Sequence, residues 1–149
     1  MGLLDGGPST TGRAVAAGRL AWAGPLTVLT AIAAAHAVRR LVIGLLHIRP
    51  DAMAFGVVPV TVDAAVLCTL AVIVFGFLSA FHDDPIRWFR WIALGALLVS
   101  FLPIILTPEI GNVLIRLGVA AMHVAAYVPC VTLLPWAVQP TTPILDPHA

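Results

Sequence analysis

Polar residues are sparse along this chain and gather in three short stretches, "HIRPDA", "HDDPIR" and "TPEIGN". Between and around them lie four apolar runs. These are Leu20 to about His47, about Val57 to Phe81, about Pro85 to Leu106, and about Pro108 to Trp136. A bilayer core of about 30 Å needs about 20 residues of helix, so each run is long enough to cross it. Backbone groups left open in lipid find no partner, so each run is predicted to be helical. The fold expected is all-α, an up-down bundle of four transmembrane helices in residues 19–136. Residues 1–18 and 137–149, rich in Gly, Pro, Ser and Thr, read as flexible tails.

The boundaries carry helix-start chemistry. In "DDPIRW", Asp84 can accept from free N–H groups as the N-cap, and Pro85 suits the first helical position because it has no N–H to leave unsatisfied. "LTPEIG" repeats the pattern, with Thr107 as cap, Pro108 first and Glu109 facing the positive end of the helix dipole. Pro103 and Pro129 fall inside the third and fourth runs, where they should bend the helix.

Composition agrees with the pattern. The chain has 149 residues, of which 60% are hydrophobic and 10% charged, whereas a soluble domain carries about 25% charged residues. Mean hydropathy is +1.03, which excludes an ordinary water-soluble fold. A net charge of +1 gives no pull on nucleic acid, so the partner expected first is the lipid bilayer. All basic residues are Arg, and the wealth of Ala, Gly, Pro and Val suggests a bacterial origin. The start "MGLLDGGPSTTG" lacks the layout of a cleaved signal, so the first run is expected to stay as an anchor. Cys68 and Cys130 lie in separate apolar runs and read as small buried hydrophobes rather than a redox or disulfide pair.

Four spans put both tails and the loop around Asp84 on one side, with Arg13, Arg19, Arg87 and Arg90. The positive-inside rule then places both termini in the cytoplasm, with the chain in the bacterial cytoplasmic membrane. Trp22, Trp88, Trp91 and Trp136 fall on that same side, at the headgroup level their amphipathic rings favour.

The candidate site is polar chemistry held inside the spans. His36 and His123 come out at similar depth. Arg39, Arg40 and Arg116 fall in the opposite half from the tails, with Asp63 about two turns into the second span and Glu109 at that end. An unpaired charge in mid-bilayer costs about 2.5–3.5 kcal/mol, so such groups turn inward and pair. The expectation is a cluster of Arg39 or Arg40 and Arg116 with Asp63 and Glu109, set against arginines that snorkel to the surface. His36 and His123 are read chiefly as structural imidazoles bonding a neighbouring helix. A proton- or ligand-handling site ranks next, and a bis-histidine haem b site last. No metal is expected, because His82, Asp83 and Asp84 are consecutive at a cap and do not converge. No catalytic or nucleotide motif occurs, so an enzyme is not expected.

Four features together, "HAVRRL", "LVSFLP", "AAMHVAAYVP" and the overall length, resemble a family of small actinobacterial four-helix membrane proteins with no assigned activity. The residues that fit its pattern best are Ser100, Pro103, Met122 and His123. The family pattern carries Asn near the position of His36, which counts against haem because Asn cannot replace an axial imidazole. The resemblance implies the architecture and no mechanism. The function expected is therefore a small structural or accessory membrane protein, packing with itself or a larger complex. Small-molecule or proton handling comes second, and a haem- or quinone-binding redox subunit third.

Overall fold

The computed structural model describes residues 10–47, 55–107 and 112–138. They form four α-helices: α1 (Thr10–Leu46), α2 (Val57–Phe81), α3 (Pro85–Leu106) and α4 (Val113–Val138). Each holds a stretch long and apolar enough to cross a membrane, of 29, 25, 22 and 26 residues in chain order. The protein is an all-α, four-span membrane protein by helix length and hydropathy.

The start of α1 departs from expectation. The helix takes in Thr10–Gly18, which had read as tail. The stretch "RAVAAGR" is rich in Ala and Arg, two strong helix formers, and these outweigh the isolated glycines. The start of α4 also differs. Thr107 ends α3, its N–H bonding to the Pro103 carbonyl at 3.0 Å. The described part of α4 begins at Val113, with the Asn112 side chain accepting from the Ile115 N–H at 3.1 Å. Pro108 and Glu109 lie outside the described residues. The Asp84 cap forms as read, its carboxylate accepting from the Arg87 N–H at 3.2 Å with Pro85 in the first turn.

Alternate helices run in opposite directions, and close contacts fix which ends meet. Gly24 in α1 lies against Val72 in α2, and Gly76 against Leu20. Trp22 and Trp136 meet edge to face at 6.5 Å. The start of the first span, the α2–α3 turn and the end of α4 therefore share one end, which also carries the exposed Trp88 and Trp91. At the other end Gly118 of α4 sits against Val42 of α1 and the ring of Phe55.

Two apolar clusters hold the bundle. At the tryptophan end Phe75, Leu78, Phe89 and Leu134 pack together, Phe75 and Phe89 edge to face at 4.9 Å. The larger cluster joins Ala31 and Ala35 of α1 to Ala64 and Cys68 of α2 and to Met122, Ala126 and Cys130 of α4. Ala31 and Ala35, four residues apart and 0% and 2% exposed, let α1 approach its neighbours closely. The outward faces are as apolar as the core: Leu29, Val58, Ile73, Val99 and Leu117 all stand exposed. In water that would be a liability, but in hydrocarbon it is the expected surface.

Six hydroxyl groups, Ser100 among them, are satisfied within their own helices. Thr27, Thr30, Thr61, Ser79 and Thr132 each donate to the carbonyl four residues earlier at 2.8 Å. Among the described residues every buried side-chain nitrogen and oxygen has a partner.

Candidate functional site

The sequence-predicted polar residues separate into two places. The first is the end opposite the tryptophans. Arg39 is 7% exposed, and its Nε donates to the Phe55 carbonyl just before α2. Arg116 donates to the carbonyls of Ile105 and Thr107 at 3.2 and 3.5 Å, at the close of α3. Both arginines have further partners. Arg116 satisfies carbonyls that the C-terminus of α3 leaves open, as basic groups near a helix C-terminus do, while Arg39 satisfies a carbonyl of the segment that leads into α2. Arg40 is exposed and lines a hollow with His36, Arg39 and Val57.

The second place is a cavity of about 200 Å³ between α2, α3 and α4. Its walls are mostly Ala, Leu, Ile and Val, and its polar groups are Asp63, Ser100, His123 and Tyr127, with Cys68 and Cys130. Several wall residues of α2 and α3, among them Leu67, Leu70, Ile92 and Ala96, are themselves exposed. The mouth therefore opens sideways, toward lipid.

The expected ion pair of Asp63 with Arg39, Arg40 or Arg116 does not appear among the described residues. Asp63 is exposed on α2 and lines the cavity with His123. Arg39 and Arg116 instead donate to backbone carbonyls, of Phe55 and of the end of α3. Glu109, the other acidic candidate, lies outside the described residues.

The two histidines are not brought together. His36 Nε2 lies 2.8 Å from Thr61 Oγ1. The Thr61 hydroxyl spends its proton on the Val57 carbonyl, so the imidazole is the donor and Nε2 carries hydrogen. His123 Nδ1 lies 2.9 Å from the Val119 carbonyl, which can only accept, so here Nδ1 carries the hydrogen. In the neutral ring Nε2 of His123 is then left with a lone pair. Phe101 sits edge-on to the same ring at 6.4 Å. One imidazole thus ties α1 to α2, as a structural histidine would. The other is bonded within its own helix and lines the cavity.

The cysteines are what spacing along the chain could not reveal. Cys68 of α2 and Cys130 of α4 are 62 positions apart, yet their sulfurs are 3.0 Å apart in the core. Both thiols are free, and both sit within 3.7 Å of the Ala126 carbonyl. The available signal was the face of α4. His123, Tyr127 and Cys130 follow four- and three-residue steps, so all three point one way. The partner on α2 had no comparable marker. Among the described residues no three of His, Cys, Asp and Glu come close enough to hold a metal ion.

Compared with known proteins, the chain matches no family model, no curated protein and no solved structure. The likeness drawn from "LVSFLP" and "AAMHVAAYVP" therefore carries no family with it, and what stands is the architecture: four long apolar helices of a small multi-pass membrane protein.

Proposed function

We propose that this protein sits in a bacterial cytoplasmic membrane and takes a small lipid-borne molecule into the cavity between α2, α3 and α4. The observation that carries the reading is the cavity's make-up: an apolar wall open to lipid, with Asp63, Ser100, His123 and Tyr127 on its lining. Ligand sites have this character, mostly apolar with a few polar groups that fix orientation. Ionisable groups inside a span are costly and mark ligand or proton paths more often than packing. The cavity suits a flat ring or short branched group carrying one or two polar atoms, attached to an apolar tail that stays in the bilayer. Arg13, Arg19, Arg87 and Arg90 at the tryptophan end support a cytoplasmic location for that end.

A diazirine-bearing alkylphenol tests the reading in nanodiscs. Photolabelling should saturate at Met122, His123 and Tyr127 while labelling of the outward Leu98 and Val99 stays proportional to probe. Filling the cavity with Ala96→Phe, on its exposed lip, should abolish the saturable fraction. Labelling that never saturates at any position would refute the proposal.

A packing role has one observation in its favour. Among the described residues α3 buries just Phe89 and Ile104, so most of its surface is open to lipid or to a second copy of the chain. Native mass from nanodiscs separates the two: a stable dimer with no saturable probe site would favour assembly over ligand binding.

A further inference from the structure

We propose that Cys68 and Cys130 form a redox couple that exchanges two electrons and two protons with a quinone held in the cavity they line. The inference rests on the ligand-binding reading above and names the class of ligand.

Three observations converge. The sulfurs of Cys68 and Cys130 are 3.0 Å apart, so a displacement of about 1 Å would bring them to the S–S bond length of about 2.05 Å. They come from different helices, α2 and α4, so the bond would join elements rather than neighbours in sequence. Finally, both residues line the cavity while being only 2% and 4% exposed. Burial keeps bulky protein thiols from such a pair, while the cavity mouth gives a molecule entering from lipid a way in.

The chemistry then selects the ligand. Closing the disulfide breaks two S–H bonds, forms one S–S bond, and releases two electrons and two protons. An oxidant arriving through hydrocarbon must dissolve there and take up both. A quinone does so: its two ring oxygens each gain a proton, the ring gains the electron pair, and a quinol leaves. The balance is two thiols plus quinone giving one disulfide plus quinol, and the reverse reaction reduces the bond again. The ring is flat and of a size that suits a cavity of about 200 Å³, with its isoprenoid tail left outside between α2 and α3.

The neighbours suit the step. Tyr127 stands between His123 and Cys130 on one face of α4, and its hydroxyl can donate to a quinone oxygen. His123, with its Nδ1 hydrogen committed to Val119, offers the Nε2 lone pair as an acceptor for a thiol proton or a quinol hydroxyl. His123 is a positioning and proton-accepting residue here, and the sulfurs are the reacting atoms.

The test uses the full chain in nanodiscs made from quinone-free lipid, fully reduced and then mixed with a decyl-substituted benzoquinone. Quinol is read by ultraviolet absorbance, and free thiols by alkylation and intact mass. The result expected is one quinol formed and both thiols lost per chain, with Cys68→Ala or Cys130→Ala giving no quinol. His123→Leu should slow the reaction at least about tenfold while leaving its final stoichiometry, one quinol and two thiols lost per chain, unchanged. Quinone that binds the Cys68→Ala, Cys130→Ala double variant but leaves the wild-type thiols reduced would overturn the inference and leave the cavity reading intact. Quinone that neither binds nor reacts, with alkylphenol labelling still saturable, would overturn the inference alone. If that labelling is also unsaturable, both fall. Where a cysteine variant does not fold, the thiol and quinol counts on the wild-type chain decide the question.

Discussion

His36 donates from Nε2 to the hydroxyl of Thr61 at 2.8 Å, and Thr61 passes its own proton to the Val57 carbonyl. This short relay is the described side-chain hydrogen bond that joins α1 to α2 through two polar groups. Thr61→Val keeps the shape and removes the acceptor. The expected cost is modest, about 0.6 kcal/mol, because hydrogen bonds between membrane helices average that much. Reversible unfolding in mixed micelles measures it. A loss above about 2 kcal/mol would mean that the imidazole is stranded without any substitute partner.

Gly118 is the tightest of the glycines within the spans. A Cβ there would lie 2.6 Å from the Val42 side chain and 3.4 Å from the ring of Phe55. Gly118→Ala should destabilise the fold by about 1–3 kcal/mol through overpacking. Val42→Ala in the same chain should recover part of the loss, since it clears the contact. Thermal unfolding in detergent reads both. Additive losses from the two changes would count against the contact as the cause.

Arg39 should matter more than Arg40. Its guanidinium is buried and bonded to the Phe55 carbonyl, whereas Arg40 is exposed. Arg39→Ala is expected to cost about 1–3 kcal/mol, because it leaves a buried acceptor without its donor. Arg40→Ala should change stability by less than about 0.5 kcal/mol. Folded yield after solubilisation ranks them, and equal effects would break the assignment.

Asp84 caps α3 through the Arg87 N–H. Asp84→Ala should lower stability by about 1 kcal/mol, and Asp84→Asn by much less, since the amide oxygen still accepts. Hydrogen exchange at Arg87, followed by mass spectrometry, should quicken in the alanine variant. No change there would show that the carboxylate is not the cap.

Most of the architecture was legible because the physics behind it is one-dimensional. The polar stretches at His47–Ala52 and His82–Arg87 bracket an apolar run of spanning length, and α2 and α3 emerge with the bounds read for them. Asp84 and Pro85 mark a helix start by local chemistry alone. Thr107 misled because the same residue can close one helix as readily as open the next, and Asn112 caps α4 five residues later. The site was harder. Depth along a helix follows from counting, so Arg39 and Arg116 were placed at the correct end. Rotation about the helix axis does not follow from counting. Asp63 therefore read as an arginine partner and proved to face the cavity. For Cys68 and Cys130 both depth and rotation had to match across two helices, and nothing along the chain encodes that coincidence.

The most extensive helix pairing in the bundle is between α1 and α4, the first and last to be made. During synthesis the side of α1 that will meet α4 must therefore stay open to lipid, with Ala31 and Ala35 partnered only by α2, until α4 arrives. Its hydroxyls within the span, Thr27 and Thr30, are already quenched by its own carbonyls, so it can wait as a finished rod. Ribosomal truncation just before α4 should leave a three-helix species that inserts normally yet is cleared by membrane quality control, and supplying α4 as a separate peptide should rescue it.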